Sequence, residues 1–249
     1  VAPGNPKKVY DLADLTRDDV RFINRQAGSG TRFLLESMLA AQDIDSSRIA
    51  GFEQGEFTHA AVAAFVASGM ADVGYQYVSI DDCWMNAPQH ADPLRVGPLR
   101  DENGDILANR HFPDMKGLTD YIHAKGLKAG IYTSPGPLTC AKFAGSYGRE
   151  KQDAEKFAAW GFDLLKYDWC SYGQIAGGDK SLAALQKPYR LMGGILKALP
   201  RDIVFNLCQY GMGEVWKWGE EIGGHSWRTA GDLGFELDQG HPDLPPAKG

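Results

Sequence analysis

The chain has 249 residues, 43% of them hydrophobic, which is enough for one large α/β domain or two small ones with a buried core. No apolar run approaches the roughly 18 residues of a membrane-spanning helix. The net charge of −6 is spread over interspersed acidic and basic residues, which argues against nucleic acid or an anionic membrane as partner. Four cysteines make no disulfide framework in a chain of this length, and the six histidines show no ligand spacing, so no metal and no cofactor is expected. The opening Val1-Ala2-Pro3-Gly4-Asn5 is not a signal peptide.

In chain order, a polar lead-in with Pro3 and Pro6 covers residues 1–19. A short strand is expected over 20–24 and a helix over 31–42, joined by Gly28-Ser29-Gly30-Thr31. A Gly-Ser-Gly-Thr turn feeding a helix start points backbone N–H groups at an anion, so Gly28, Ser29, Gly30 and Thr31 form a candidate anion site; a plain tight connection explains the turn equally well. The Lys of a phosphate-binding P-loop is absent. A second strand is expected over 49–53 and an Ala/Val-rich helix over 58–68.

From residue 75 strands and helices alternate. Strands are expected over 75–80, 127–132, 162–168, 202–208 and 226–232, with helices over 116–125, 149–160, 182–199 and 214–222; Pro188 marks an alternative start for the third of these. A long polar loop covers 86–112, and residues 239–249 read as a Pro-rich tail. Such alternation predicts a parallel sheet with helical crossovers. The five strands end in polar residues: Asp81 and Asp82, Tyr132, Lys166 and Asp168, Gln209, and Arg228 with Asp232. Polar groups gathered at one end of successive parallel strands mark the active face of such folds. Carboxylates with aromatic neighbours and no cofactor motif fit glycoside hydrolysis, for which Trp84, Tyr132, Trp169 and Tyr210 are candidate sugar platforms. Trp216, Trp218 and Cys208 read as packing residues.

Five ordered motifs carry a resemblance. They are Gly74-Tyr75-Gln76-Tyr77-Val78 running into Ile80-Asp81-Asp82-Cys83-Trp84; Gly126-Leu127-Lys128-Ala129-Gly130-Ile131-Tyr132; Gly145-Ser146-Tyr147-Gly148; Leu165-Lys166-Tyr167-Asp168-Trp169-Cys170; and Ser226-Trp227-Arg228-Thr229-Ala230-Gly231-Asp232. Residues 74–238 thereby resemble the barrel of glycoside hydrolase family 27, the α-galactosidases. The resemblance implies a retaining hydrolase of terminal α-galactosides, with Asp168 as nucleophile and Asp232 as general acid/base. It further implies that Asp81, Asp82, Trp84, Tyr132, Lys166, Gln209 and Arg228 line the sugar pocket, and that Cys140 and Cys170 form a disulfide. Lys166, on the same side of its strand as Asp168, is expected to favour the ionised carboxylate. The family's opening Pro-Met-Gly-Trp-Asn-Ser-Trp strand, its last two barrel strands and its C-terminal sandwich have no counterpart in this sequence.

Residues 3–74 carry a different resemblance. Pro3-Gly4-Asn5-Pro6, Val20-Arg21-Phe22-Ile23-Asn24-Arg25-Gln26, Gly28-Ser29-Gly30-Thr31-Arg32 and Gly69-Met70-Ala71-Asp72-Val73-Gly74-Tyr75 look like part of the periplasmic-binding-protein-like domain of molybdate-type regulators. The expected architecture is therefore chimeric. A flavodoxin-like βαβ segment (1–74) joins a partial or hybrid (β/α) TIM-like barrel (75–238), followed by the tail (239–249). Seven strands fall one short of a closed eight-strand barrel, which leaves oligomerisation through open sheet edges possible. A catalytically inert α/β scaffold and an oxyanion-binding module are the alternative functions. The enzyme part favours a secreted or periplasmic location.

Overall fold

The computed structural model describes residues 5–20, 22, 30–52, 66 and 69–231. The chain divides into two compact units, Val1–Gln76 and Tyr77–Gly249.

In the first unit, helix α1 spans Gly30–Ala41. Its Leu39 is buried with Leu15, Val20, Ile49 and Phe52, and Leu35 and Ile44 pack against that cluster. The strand expected over 49–53 does not form in the described residues. The Asp45 carboxylate accepts the Ser47 N–H and opens a 3₁₀ turn, Ser46–Arg48. Ile49 and Phe52, both buried, then fall three residues apart across a turn in which Phe52 N–H donates to the Ile49 carbonyl. Gly51, at φ +88°, supplies the left-handed residue that this turn needs. A three-residue spacing of apolar groups suits a turn, whereas a strand buries every second residue. Val20 and Phe22 take no strand conformation either, while residues 21, 23 and 24 lie outside the described residues, as does most of the expected helix over 58–68.

The second unit is built on five strands: β1 (Tyr77–Ser79), β2 (Lys128–Thr133), β3 (Leu164–Asp168), β4 (Val204–Cys208) and β5 (Ser226–Trp227). They lie in the order β1-β2-β3-β4-β5, and every pair is parallel. A doubly wound sheet reverses its strand order part-way; this one never does, which is the winding of a (β/α) barrel. Both end strands are shorter than expected. Ile80 lies just past β1, and the chain leaves β5 at Arg228.

Four helices follow: α2 (Met115–Ala124), α3 (Glu150–Trp160), the single turn α4 (Tyr172–Ile175) and α5 (Leu182–Lys197). Local chemistry sets their ends. Asp114 accepts the Gly117 N–H at the start of α2. Gly161, at φ +97°, ends α3 in the left-handed conformation, its N–H bonded back to Phe157 and Ala158. Ser181 caps α5 through the Ala184 N–H, so the helix begins there and runs through Pro188. That proline leaves the Ala184 carbonyl without its helical donor. The expected helix over 214–222 is only a 3₁₀ turn, Val215–Lys217, followed by further turns; Trp218 is buried and Trp216 half exposed.

The core lies between the sheet and its helices. On β3, Leu165 and Tyr167 are buried toward the helices, and Tyr167 meets Tyr189 of α5 edge-on at 5.7 Å. Lys166 and Asp168 alternate to the opposite side, as a strand's two-residue period requires. Two ion-pair systems, the first buried and the second partly exposed, tie the loops to the helices. Arg100 holds Asp153 of α3 through two contacts, of 2.6 and 2.8 Å. Asp163, just before β3, accepts from His123, from the Ala129 N–H and from Arg201.

Candidate active site

The described candidate residues of the second unit gather at the C-terminal ends of the parallel strands, because each strand ends there and hands over to a loop. The β2–β3 register sets Tyr132 beside Lys166, and the β3–β4 register sets Asp168 beside Cys208. Close backbone approach locks the loops that follow. A Cβ on Gly136 would lie 2.1 Å from the Ser171 hydroxyl and 2.4 Å from the Cys170 carbonyl, so only glycine lets the loop after β2 sit on the loop after β3. Ser171 and Ser134 reinforce that contact, donating to the Leu138 and Cys170 carbonyls. Cys140 and Cys170 are joined by a disulfide across it.

Asp168 is at the centre. Tyr210 donates its hydroxyl to one carboxylate oxygen at 2.8 Å, and Tyr132 donates to the other at 3.1 Å. Lys166 turns to Asp81, which it contacts at 2.8 and 3.1 Å through the two carboxylate oxygens. Both partners keep about a third or more of their side-chain surface exposed, so this pair forms the open, polar part of the site. Asp82 accepts the Cys83 and Ala141 N–H groups, at 2.7 and 2.9 Å. Arg228 stacks on Tyr210, its guanidinium carbon 4.9 Å from the ring centre.

Burial dominates the electrostatics. It pushes the carboxyl of Asp168 above the ordinary range; the hydrogen bond from Tyr210, the charge of Lys166 and the hydrogen bond from Tyr132 oppose it without cancelling it. Lys166 favours the ionised carboxylate of Asp168, as expected, but its contribution does not outweigh burial. Lys166 spends its hydrogen bonds on Asp81, and desolvation prevails at Asp168. Burial likewise raises Asp82, against the Ala141 N–H. It lowers Lys166, but the charge of Asp81, those of Cys208 and Asp168 and the hydrogen bond to Asp81 together outweigh it, and the ammonium titrates above its usual value. The thiols of Cys83 and Cys208 are pushed up to about 12, chiefly by burial.

The proposed aromatic platforms need correction. Trp84 has no exposed surface: its ring nitrogen donates to the Tyr132 carbonyl at 2.7 Å, and its ring packs edge-on against Phe157 and Trp160. It is a core residue that supports β2, not a sugar platform. Trp169 is also buried, between Tyr172 and Tyr189. Tyr132 and Tyr210 present hydroxyls to Asp168 and keep at most 4% of their surface exposed. Gln209 is buried too; its amide donates to the Met212 carbonyl, and its oxygen has no hydrogen-bond partner among the described residues. Asp232, Gly28 and Ser29 lie outside the described residues, and Gly30 opens α1 with Thr31 next to it. Cys140, Asp168 and Cys170 bring potential ligand atoms within 4.8 Å of one another. Two of those atoms are disulfide sulfurs with no thiolate to offer, so the grouping is not a metal site. Sequence reasoning missed the hydrogen bond from Tyr210 to Asp168. Its only sequence signal is the position of Tyr210 just past the end of β4.

The family model described as alpha galactosidase A matches residues 36–222. Alpha-galactosidase A of Cellvibrio japonicus is 44% identical over 172 residues, which are 68% of this chain and 37% of that protein. The alpha-galactosidase of Coffea arabica is 39% identical over 173 residues, 68% of this chain and 40% of that protein. Among solved structures, alpha-galactosidase I from Mortierella vinacea superposes with a TM-score of 0.60 at 37% identity, covering 69% of this chain and 40% of that one. The Saccharomyces cerevisiae enzyme solved with raffinose gives 0.62 at 31% identity, over 74% of this chain and 38% of that one. The chain thus spans about two fifths of the length of these relatives. A family model covering most of the chain, strand winding like that of these barrel enzymes and relatives near 40% identity lead to one conclusion: the chain belongs to the alpha-galactosidase family, glycoside hydrolase family 27.

Proposed function

We propose that the second unit carries the nucleophile side of a retaining glycoside hydrolase acting on terminal α-galactosides. The observation that carries the reading is the Asp168 carboxylate at the end of a parallel strand, aimed by a phenol on each oxygen and set beside the Lys166–Asp81 pair. The substrate class is supported by the alpha-galactosidase relatives and by the yeast relative solved with raffinose. In the first step an Asp168 oxygen attacks the anomeric carbon. The glycosidic C–O bond breaks, and the leaving oxygen takes a proton from Asp232. In the second step water, giving its proton to Asp232, attacks the same carbon and releases the sugar and the free carboxylate. Asp81, Asp82, Lys166, Gln209 and Arg228 are the residues proposed to hold the sugar, with Lys166 and Asp81 both partly open to solvent. A chromogenic α-galactoside assay tests this. Asp168→Asn is expected to lose at least about 10³-fold in kcat/KM. Equal residual rates in parent and variant would end the reading.

Residues 1–74 are proposed, as a finer point, to be a periplasmic-binding-protein-like segment joined to the barrel part. The division of the chain after Gln76 supports a junction near there, whereas the family match beginning at residue 36 weighs against it for residues 36–74. A crystal structure in which residues 1–74 wind as part of the barrel would remove the proposal.

A further inference from the structure

We propose that Tyr132, Tyr210 and the Cys140–Cys170 disulfide form a positioning cage that fixes the orientation of the Asp168 carboxylate; this deepens, and rests on, the reading of Asp168 as nucleophile. The geometry is a closed ring of contacts. Each Asp168 oxygen accepts from a different phenol, at 2.8 Å from Tyr210 and 3.1 Å from Tyr132. Behind each phenol lies a different sulfur of one disulfide: Cys170 Sγ is 3.3 Å from the Tyr132 hydroxyl, and Cys140 Sγ is 3.8 Å from that of Tyr210. A carboxylate with one donor can still swing about its last bond. Two donors on opposite oxygens stop that rotation, and a covalent bridge behind the donors limits how far they can part.

The backbone shows the same commitment. Tyr210 sits at φ +62°, a left-handed conformation that non-glycine residues seldom take, and strained residues of this kind persist only where their surroundings hold them. Gly211 follows at φ +84°, where a Cβ would stand 2.3 Å from the Thr229 carbonyl, so the turn is pressed against the segment after β5. Arg228 covers the outer face of the Tyr210 ring, and Lys166 lies 5.1 Å from the centre of the Tyr132 ring. Tyr132 and Tyr210 are thus positioning residues: they act through Asp168 and keep their donors aimed before substrate arrives.

The charged and titratable groups that act on Asp168 are Lys166 on β3, Tyr132 on β2, Cys208 at the end of β4, Tyr210 beyond β4 and Tyr189 on α5; Asp81 and Asp82 beyond β1 act on Tyr132, and Arg228 beyond β5 acts on Tyr210 and Cys208. Burial keeps the Tyr132 phenol well above its ordinary value, so it remains a protonated donor at any working pH.

The test reads the carboxyl itself as well as the reaction. The titration of Asp168 is followed by carbon-13 NMR in Asp-labelled protein and assigned with Asp168→Asn. Tyr132→Phe and Tyr210→Phe are each expected to raise its midpoint by about one pH unit, and together by about two, because each removes a donor that favours the ionised form. Replacing the bridge by Cys140→Ser/Cys170→Ser should move it the same way. As a variant that keeps every contact, 3-fluorotyrosine at position 210 is a stronger donor and should lower the midpoint. In the hydrolysis of a chromogenic α-galactoside, the acidic limb of kcat/KM should follow each of these shifts. A midpoint that stays put in the two folded Phe variants and in the fluorinated protein overturns the cage, whatever the rate of hydrolysis. A midpoint that moves in a protein without hydrolytic activity keeps the cage and removes the hydrolase reading.

Discussion

The Arg100–Asp153 pair offers the sharpest test of how the loops of the second unit are held. Asp153 has no exposed surface, while the Arg100 side chain keeps 19% of its own. The guanidinium meets both Asp153 oxygens, at 2.6 and 2.8 Å, and its remaining N–H groups donate to the Gly104 and Gly145 carbonyls, both at 2.9 Å. One side chain therefore clamps a loop, the turn before α3 and the helix itself. Arg100→Met keeps the aliphatic stem and removes the charge, leaving a carboxylate buried without its partner. Breaking a buried pair in this way costs about 3–5 kcal/mol. Asp153 lies in the first turn of α3, where the helix dipole returns about 0.3–1 kcal/mol, so a net loss of about 2–5 kcal/mol is expected. Against the 5–15 kcal/mol typical of a domain, the variant keeps a folded state, with Tm lowered by roughly 4–20 °C. Urea unfolding followed by tryptophan fluorescence measures it. Arg100→Met/Asp153→Leu should recover stability to within about 2 kcal/mol of the parent, since a well-packed apolar pair can replace a buried ionic one. A single variant costing less than about 1 kcal/mol, as an exposed pair would, refutes the reasoning; so does a double variant no better than the single.

Two neighbouring glycines of α5 should respond in opposite directions. A Cβ on Gly193 would lie 2.0 Å from the Ile222 carbonyl, so Gly193→Ala should lose about 1–3 kcal/mol, whereas nothing lies within 4 Å of one on Gly194, and Gly194→Ala should gain up to about 1 kcal/mol in urea midpoints. Asp168 has its carboxyl raised by burial, so the stability it contributes is present below its unfolded value near pH 4 and is lost as pH rises through the folded value. Asp168→Asn should therefore unfold at a higher temperature than the parent at pH 7, by an increment that shrinks toward pH 4; a variant less stable at every pH contradicts this. Burial tends to raise Asp163, but hydrogen bonds from His123, the Ala129 N–H and Arg201 outweigh it and hold its carboxyl below the ordinary range. Its stabilisation is present above about pH 4 and is lost as pH falls through the folded value, so Asp163→Asn should flatten the acid limb of the stability curve.

What could be read ahead of the structure, and what could not, follows from how local each cause is. The Leu164-Leu165-Lys166-Tyr167-Asp168 strand carries its own two-residue period and its polar end, and the helices of the second unit end where Gly126 and Gly161 release them. These are neighbour-to-neighbour effects, and the motifs added the order of the strands. Trp84 was misread because its fate is set far away. Beside Asp81 and Asp82 an indole reads as a sugar platform, yet Phe157 and Trp160 of α3, more than seventy residues on, enclose it. The strand expected over 49–53 is a turn: its apolar residues suit either, and the Asp45 side-chain cap opens the 3₁₀ turn just ahead of it. The grip of Tyr210 on Asp168 was invisible for a third reason. It depends on a left-handed backbone at Tyr210, next to the close approach of Gly211 to the Thr229 carbonyl. The failures at Trp84 and Tyr210 share one feature, a side chain whose role is decided by a partner distant in sequence. In this unit such partners meet at the strand ends, where the proposed site lies. The residues hardest to read are thus the ones proposed to aim Asp168, while Asp168 itself, carried by its own strand, is the easiest.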